Sequence, residues 1–182
     1  MADKINKIMK YPLSSRILHW LMATIILFML GLGIYMTDFL SKESPSRMDI
    51  YNLHKSLGAL VLALIVARII NRLALGAPAM PKTLLKSEKI LAHLAHGALY
   101  LLMILVPLSG YLMSNLFGYP VKFFSIELPS LVTANPELGM TFAEIHEVSA
   151  FILLGIVAIH ILAVVKHRFF DKPENNVLNR MV

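Results

Sequence analysis

Residues 145–172 read IHEVSAFILLGIVAIHILAVVKHRFFDK. From 148 to 165 there is no Asp, Glu, Lys or Arg. Such a run reads as a membrane span, because about 20 apolar residues in a helix cover the roughly 30 Å of bilayer hydrocarbon. Lipid offers no partner to an unpaired backbone N–H or C=O, so the span must be helical. His146 and His160 stand fourteen residues apart near its two ends. At ~100° and ~1.5 Å per residue, that interval returns to within about 40° of the same direction and climbs about 21 Å. The two imidazoles therefore share one helix face at two depths. An ionisable side chain at membrane depth is costly and marks function.

Three further stretches have the same character. Residues 17–37 and 90–121 carry no Asp, Glu, Lys or Arg; Pro107 interrupts the second, and Gly118 and Pro120 end it. Residues 54–74 form a span if Arg68 and Arg72 snorkel to an interface. Apolar residues make up 57% of the 182-residue chain, charged residues 15%, and mean hydropathy is +0.69. A soluble domain carries roughly 45–50% apolar and about 25% charged residues. The expectation is an all-α integral membrane four-helix bundle, one domain over 1–182. Its spans lie at about 17–38, 54–74, 91–115 and 146–168, with an outer loop at 117–144 holding a short interfacial helix or plug.

Thirteen Lys and Arg fall on the side of the two termini and the loop between spans two and three. Four fall on the other side: Lys42, Arg47, Lys55 and Lys122. The positive-inside rule then puts both termini in the cytoplasm. The net charge of +6 is explained by the bilayer and needs no nucleic acid. The first span follows a basic arm but is too long for a signal peptide and lacks a small-residue cleavage site, so it is read as retained. The absence of cysteine excludes disulfides, iron–sulfur clusters, thiolate zinc sites and covalent CxxCH haem.

Depth pairs the histidines. His54 begins span two and His146 begins span four, both at the outer end. His19 and His160 lie near the inner end. Two stacked cross-helix pairs are the arrangement that two b-type haems need, each iron taking an imidazole from either face of the porphyrin. Gly33, fourteen residues after His19, with Gly58 and Gly155, suits either haem clearance or the close helix packing that small residues allow. Arg68, fourteen residues after His54, suits a propionate of the inner haem or an interface anchor. Arg72 is read as topology. His167 continues the stripe of span four and suits a quinone carbonyl, a propionate or a plain basic flank. His93 and His96 lack a third metal ligand and suit a structural or quinone-adjacent role.

These residues, in SRILHW, LHKSLG, HLAHGALYLL and the quoted stretch of span four, resemble the bacterial cytochrome b561 family, dihaem membrane proteins that include superoxide oxidase. The resemblance implies haem ligands at His19, His54, His146 and His160 and electron exchange with ubiquinone near the inner haem. It implies a bacterial inner-membrane cytochrome passing electrons between an outer-side donor, superoxide or a periplasmic redox partner, and the quinone pool. The outer side is net acidic apart from Lys55 and Lys122, which suits superoxide poorly. His167, Lys166 and the loop 78–89 are the expected surroundings of the quinone. The competing reading is a haem-bearing membrane anchor for a partner dehydrogenase. A haem-free proton-coupled transporter is disfavoured by the lack of inverted repeats.

Overall fold

The computed structural model describes residues 10–182. Lys4 and Lys7 of the basic arm lie outside the described residues. Four long helices form the molecule: α1 Leu13–Ile34, α2 Arg47–Leu75, α3 Lys86–Leu116 and α4 Pro136–Phe169. Each is long and apolar enough to cross a membrane. A π-helical turn, Tyr35–Phe39, extends α1. The side chains of Leu73, Leu101 and Leu162 are 81%, 64% and 66% exposed. Apolar faces of that extent on every helix would aggregate in water and are at home in lipid.

The helices outrun the apolar stretches. Helix α2 starts at Arg47, seven residues before the expected 54, with Asp49 in its first turn facing the positive end of the helix dipole. Helix α4 starts at Pro136, ten residues early. Asn135 caps it by accepting from the Leu138 N–H at 3.1 Å, and Pro136 begins it, where a missing N–H costs nothing. The outer loop therefore shrinks to 117–135. It holds not a helix but a small antiparallel hairpin, β1 Lys122–Phe123 and β2 Ile126–Glu127. Phe124 turns the hairpin in the left-handed region, at φ 53°. Ser56 of α2 pins it, reaching the Lys122 carbonyl at 2.8 Å and accepting from the Phe124 N–H at 3.0 Å. Helix α3 continues through Pro107 rather than breaking there.

The hairpin and the α1–α2 connection mark one end of the bundle, the hairpin end. The chain termini and the α2–α3 loop mark the other, the terminal end. There the tail folds back in two 3₁₀ turns, Pro173–Asn175 and Leu178–Arg180. Tyr11 N–H donates to the Arg180 carbonyl at 3.0 Å, the Trp20 indole N–H donates to the Met181 carbonyl at 2.9 Å, and Arg180 donates to the Ala79 carbonyl at 2.7 Å. Between the ends, Met22 and Ile26 of α1, Val61 and Ile65 of α2, Leu102 of α3 and Leu153 of α4 form the buried core.

Candidate functional site

Four lines of side chains step inward by sevens: His19, Ile26, Gly33; His54, Val61, Arg68; His96, Met103, Gly110; and His146, Leu153, His160. Seven residues is the seam spacing of left-handed helix packing. The middle members, Ile26, Val61, Met103 and Leu153, all pack in the core cluster. The end members thus surround the same interior on two levels.

At the hairpin end the rings of His54 and His146 face each other with centroids 6.2 Å apart and planes at 82°. His146 Nδ1 lies 2.8 Å from the Val106 carbonyl. A carbonyl only accepts, so Nδ1 carries the proton and Nε2 keeps its lone pair for a metal. Helix α3 can supply that carbonyl because Gly110 stands one turn away. A Cβ there would sit 2.9 Å from His146 Nδ1 and Cε1. A Cβ on Gly33 would lie 3.7 Å from His54, and one on Gly58 would lie 3.9 Å from Met29. One on Gly155 would meet nothing within 4 Å, so no neighbouring helix packs against that residue. His54 Nδ1 is buried with no partner. Both histidines, Gly33, Gly58 and Gly110 line a cavity of about 790 Å³.

At the terminal end the His19 and His160 centroids are 6.4 Å apart, with planes at 68°. His96, which the sequence left without a ligand role, lies 5.7 Å from His160. Arg68 Nη2 is 3.2 Å from His19 Nδ1 and its guanidinium lies 5.9 Å from the Tyr100 ring centre. An arginine only donates, so Nδ1 of His19 accepts. A metal at Nε2 would need the other tautomer, and Arg68 would then turn to another acceptor. Arg68 Nη1 is buried and unpaired, which suits an anionic group. His93 turns to its own helix, donating to the Lys89 carbonyl at 2.7 Å.

His167 lies two turns below His160. Its Nδ1 meets Asp171 Oδ2 at 2.8 Å. Asp171 also accepts from the Asn175 amide at 3.0 Å and the Lys172 N–H at 2.7 Å. The Asn175 amide, the Lys172 N–H and then His167 hold its carboxyl down at about 2. Lys166 is not free to face a ligand: it pairs with Glu88 of α3.

The spacing of both cross-helix pairs fits an iron between them. Two imidazoles that held one metal through nitrogen bonds of roughly 2.0–2.1 Å would set their ring centres about 6 Å apart, which the 6.2 Å and 6.4 Å separations allow. A membrane-embedded four-helix bundle with opposed imidazoles on two levels defines the class of membrane cytochromes. The chain belongs to the prokaryotic cytochrome b561 family, whose model matches residues 10–182. It is similar to cytochrome b561 homolog 2 of Escherichia coli K12, 30% identical over 175 residues, covering 95% of this chain and 91% of that one. It is also similar to the probable superoxide oxidase CybB of Yersinia pestis, 28% identical, covering 91% of each chain. Cytochrome b561 homolog 1 of Escherichia coli K12 is 24% identical, covering 91% of this chain and 92% of that one. The protein is thus a multi-pass, b-haem-binding electron-transfer protein of the bacterial inner membrane.

Proposed function

We propose that the chain holds two b haems, one between His54 and His146 and one between His19 and His160, and passes electrons from an outer-side donor to quinone at the cytoplasmic side. The observation that carries this reading is the matched pair of imidazole spacings, 6.2 Å and 6.4 Å, on two levels of one bundle. Bound haem would supply reversible one-electron storage. The chain's own residues do the rest. Val106 fixes the tautomer of His146, Gly110 and Gly33 leave room beside the two hairpin-end ligands, and the core between the levels excludes water. Both termini lie in the cytoplasm, in keeping with the thirteen-to-four distribution of basic residues.

His19 is preferred to His96 as the second inner ligand because its 6.4 Å separation from His160 repeats the 6.2 Å of the His54–His146 pair. The quinone site lies beside His167, which Asp171 orients with its Nε2 pointing away from the pair. The name of the Yersinia relative makes superoxide the first donor to test. The overall reaction would be two superoxide and one quinone with two protons, giving two dioxygen and one quinol. His167→Ala and His167→Lys discriminate the site from plain charge anchoring. Both should slow quinone-linked haem oxidation at least tenfold and leave both haem spectra intact. A wild-type rate in His167→Lys would reduce the residue to a topological charge.

A further inference from the structure

The cavity at the hairpin end is apolar along most of its wall, but its mouth is not. Besides the two histidines, the charged residues lining it are Arg47, Lys55 and Glu147. Both cations come from α2. Arg47, Tyr51 and Lys55 stand on successive turns, and Arg47 is seven residues before His54. Seven residues return to within ~20° of the same direction and reach about 10 Å along the helix. Arg47 is therefore above the ligand, on the ligand's face, toward the mouth.

The arginine is braced. Its guanidinium lies 5.0 Å from the Tyr51 ring centre, donates to the Tyr51 hydroxyl at 3.1 Å and reaches the Leu40 carbonyl at 3.4 Å. A guanidinium has five N–H donors, so these contacts fix its plane and leave donors over. Lys55 donates to the Pro120 carbonyl at 2.9 Å, one of three donors used. Neither cation has a carboxylate within ion-pair distance: among the described residues the ion pairs are Lys166–Glu88 and His167–Asp171. Glu43, the acidic residue nearest in influence to Arg47, is bound by the Ser41 hydroxyl and makes no ion pair with it. Two cations without counter-ions at the rim of an apolar cavity are poised for an anion. Glu147, on α4, would repel one and so biases it toward α2.

We propose that Arg47 and Lys55, with Tyr51 as brace, form the clamp for the propionates of the haem in the hairpin-end cavity, so that its carboxylates face the mouth. The clamp rests on the reading of this cavity as a haem site. Charged forks of this kind recognise carboxylates by paired, charge-assisted hydrogen bonds. A topological anchor, by contrast, would need only charge near the interface and no relation to the cavity.

The test uses purified holoprotein and follows haem loss to excess haem-free myoglobin. The two haems are assigned from the spectra of His54→Ala and His19→Ala. In the double variant Arg47→Gln, Lys55→Gln, release of the hairpin-end haem should be ~10–100-fold faster, as expected for losing charge-assisted bonds, while the other haem is released at the wild-type rate. The charge-preserving Arg47→Lys, Lys55→Arg pair should recover most of the retention, which guards against a folding artefact. Unchanged release in the Gln pair, or equal acceleration from both haems, overturns the clamp. If His54→Ala keeps both haems, the cavity is not a haem site and the underlying reading falls instead.

Discussion

At Gly110 a single methyl group decides whether His146 can lie over α3. A glycine in a helix interior ordinarily costs about 0.5–1 kcal/mol against alanine, so Gly110→Ala should help an empty helix. Here the new Cβ meets the imidazole at 2.9 Å. The expected outcome is loss of the hairpin-end haem and a fall of about half in haem per chain, read from absorbance. Gly31→Ala, exposed on α1 away from the cavity and meeting nothing within 4 Å, should keep the wild-type content. Equal haem in both variants would remove Gly110 from the site. Asp171 gives a pH expectation. Its carboxyl is depressed from the ordinary 3.8 to about 2, so its support of the tail is complete above the ordinary value and lost as pH falls through 2. Protection from hydrogen exchange at the Lys172 N–H and the Asn175 side-chain amide, taken relative to their intrinsic rates, should hold down to about pH 4 and fall below it; loss of protection between pH 7 and 5 would show another group in control. The four paired histidines were legible because spacing and depth are written in the chain. Gly110 was not, although it stands fourteen residues after His96, the same interval that relates Gly33 to His19.

The hairpin shows what apolar runs leave out. Ser56 is 2% exposed and contacts two backbone groups of the hairpin, accepting from the Phe124 N–H and sharing its one proton between the Lys122 and Asn52 carbonyls. Ser56→Ala would leave both without that partner, at about 1–3 kcal/mol for a buried unsatisfied group. It should lower the temperature at which the protein loses its haem absorbance by several degrees and expose residues 122–127 to protease. An unchanged melting temperature would mean the hairpin is held elsewhere. The spans were legible from hydropathy, but the starts of α2 and α4 were not. Their first turns, RMDIYNL and PELGMTFAEI, are amphipathic and lie beyond the uncharged runs. The start of α4 is written only in the Asn135–Pro136 cap, and Arg47 stands before the apolar part of its own helix.

The whole molecule is a bundle whose interior is divided by one core layer into two levels of imidazoles, one toward each end. The orientation has its own check. A periplasm-active reporter fused after Val182 should be silent, and the same reporter inserted between Leu128 and Pro129 should be active; the reverse pattern would invert the assignment of donor and quinone sides. The family was legible from the motifs around His19, His54, His93–His96 and span four, and the class of cofactor from the matched depths of four histidines, two of which, His146 and His160, share one helix face. The crowding of His96 against His160 was not, since three-residue spacing on α3 says nothing of what faces it from α4. His96→Ala should therefore keep both haems, whereas His19→Ala should lose the terminal-end one. Haem extracted with acid–acetone from purified full-length protein, and quantified per chain, bears on all of this at once. The expected ratio is two, falling to one in either His54→Ala or His19→Ala. A ratio of one in the unaltered protein, or two retained in both variants, would contradict the two-level arrangement.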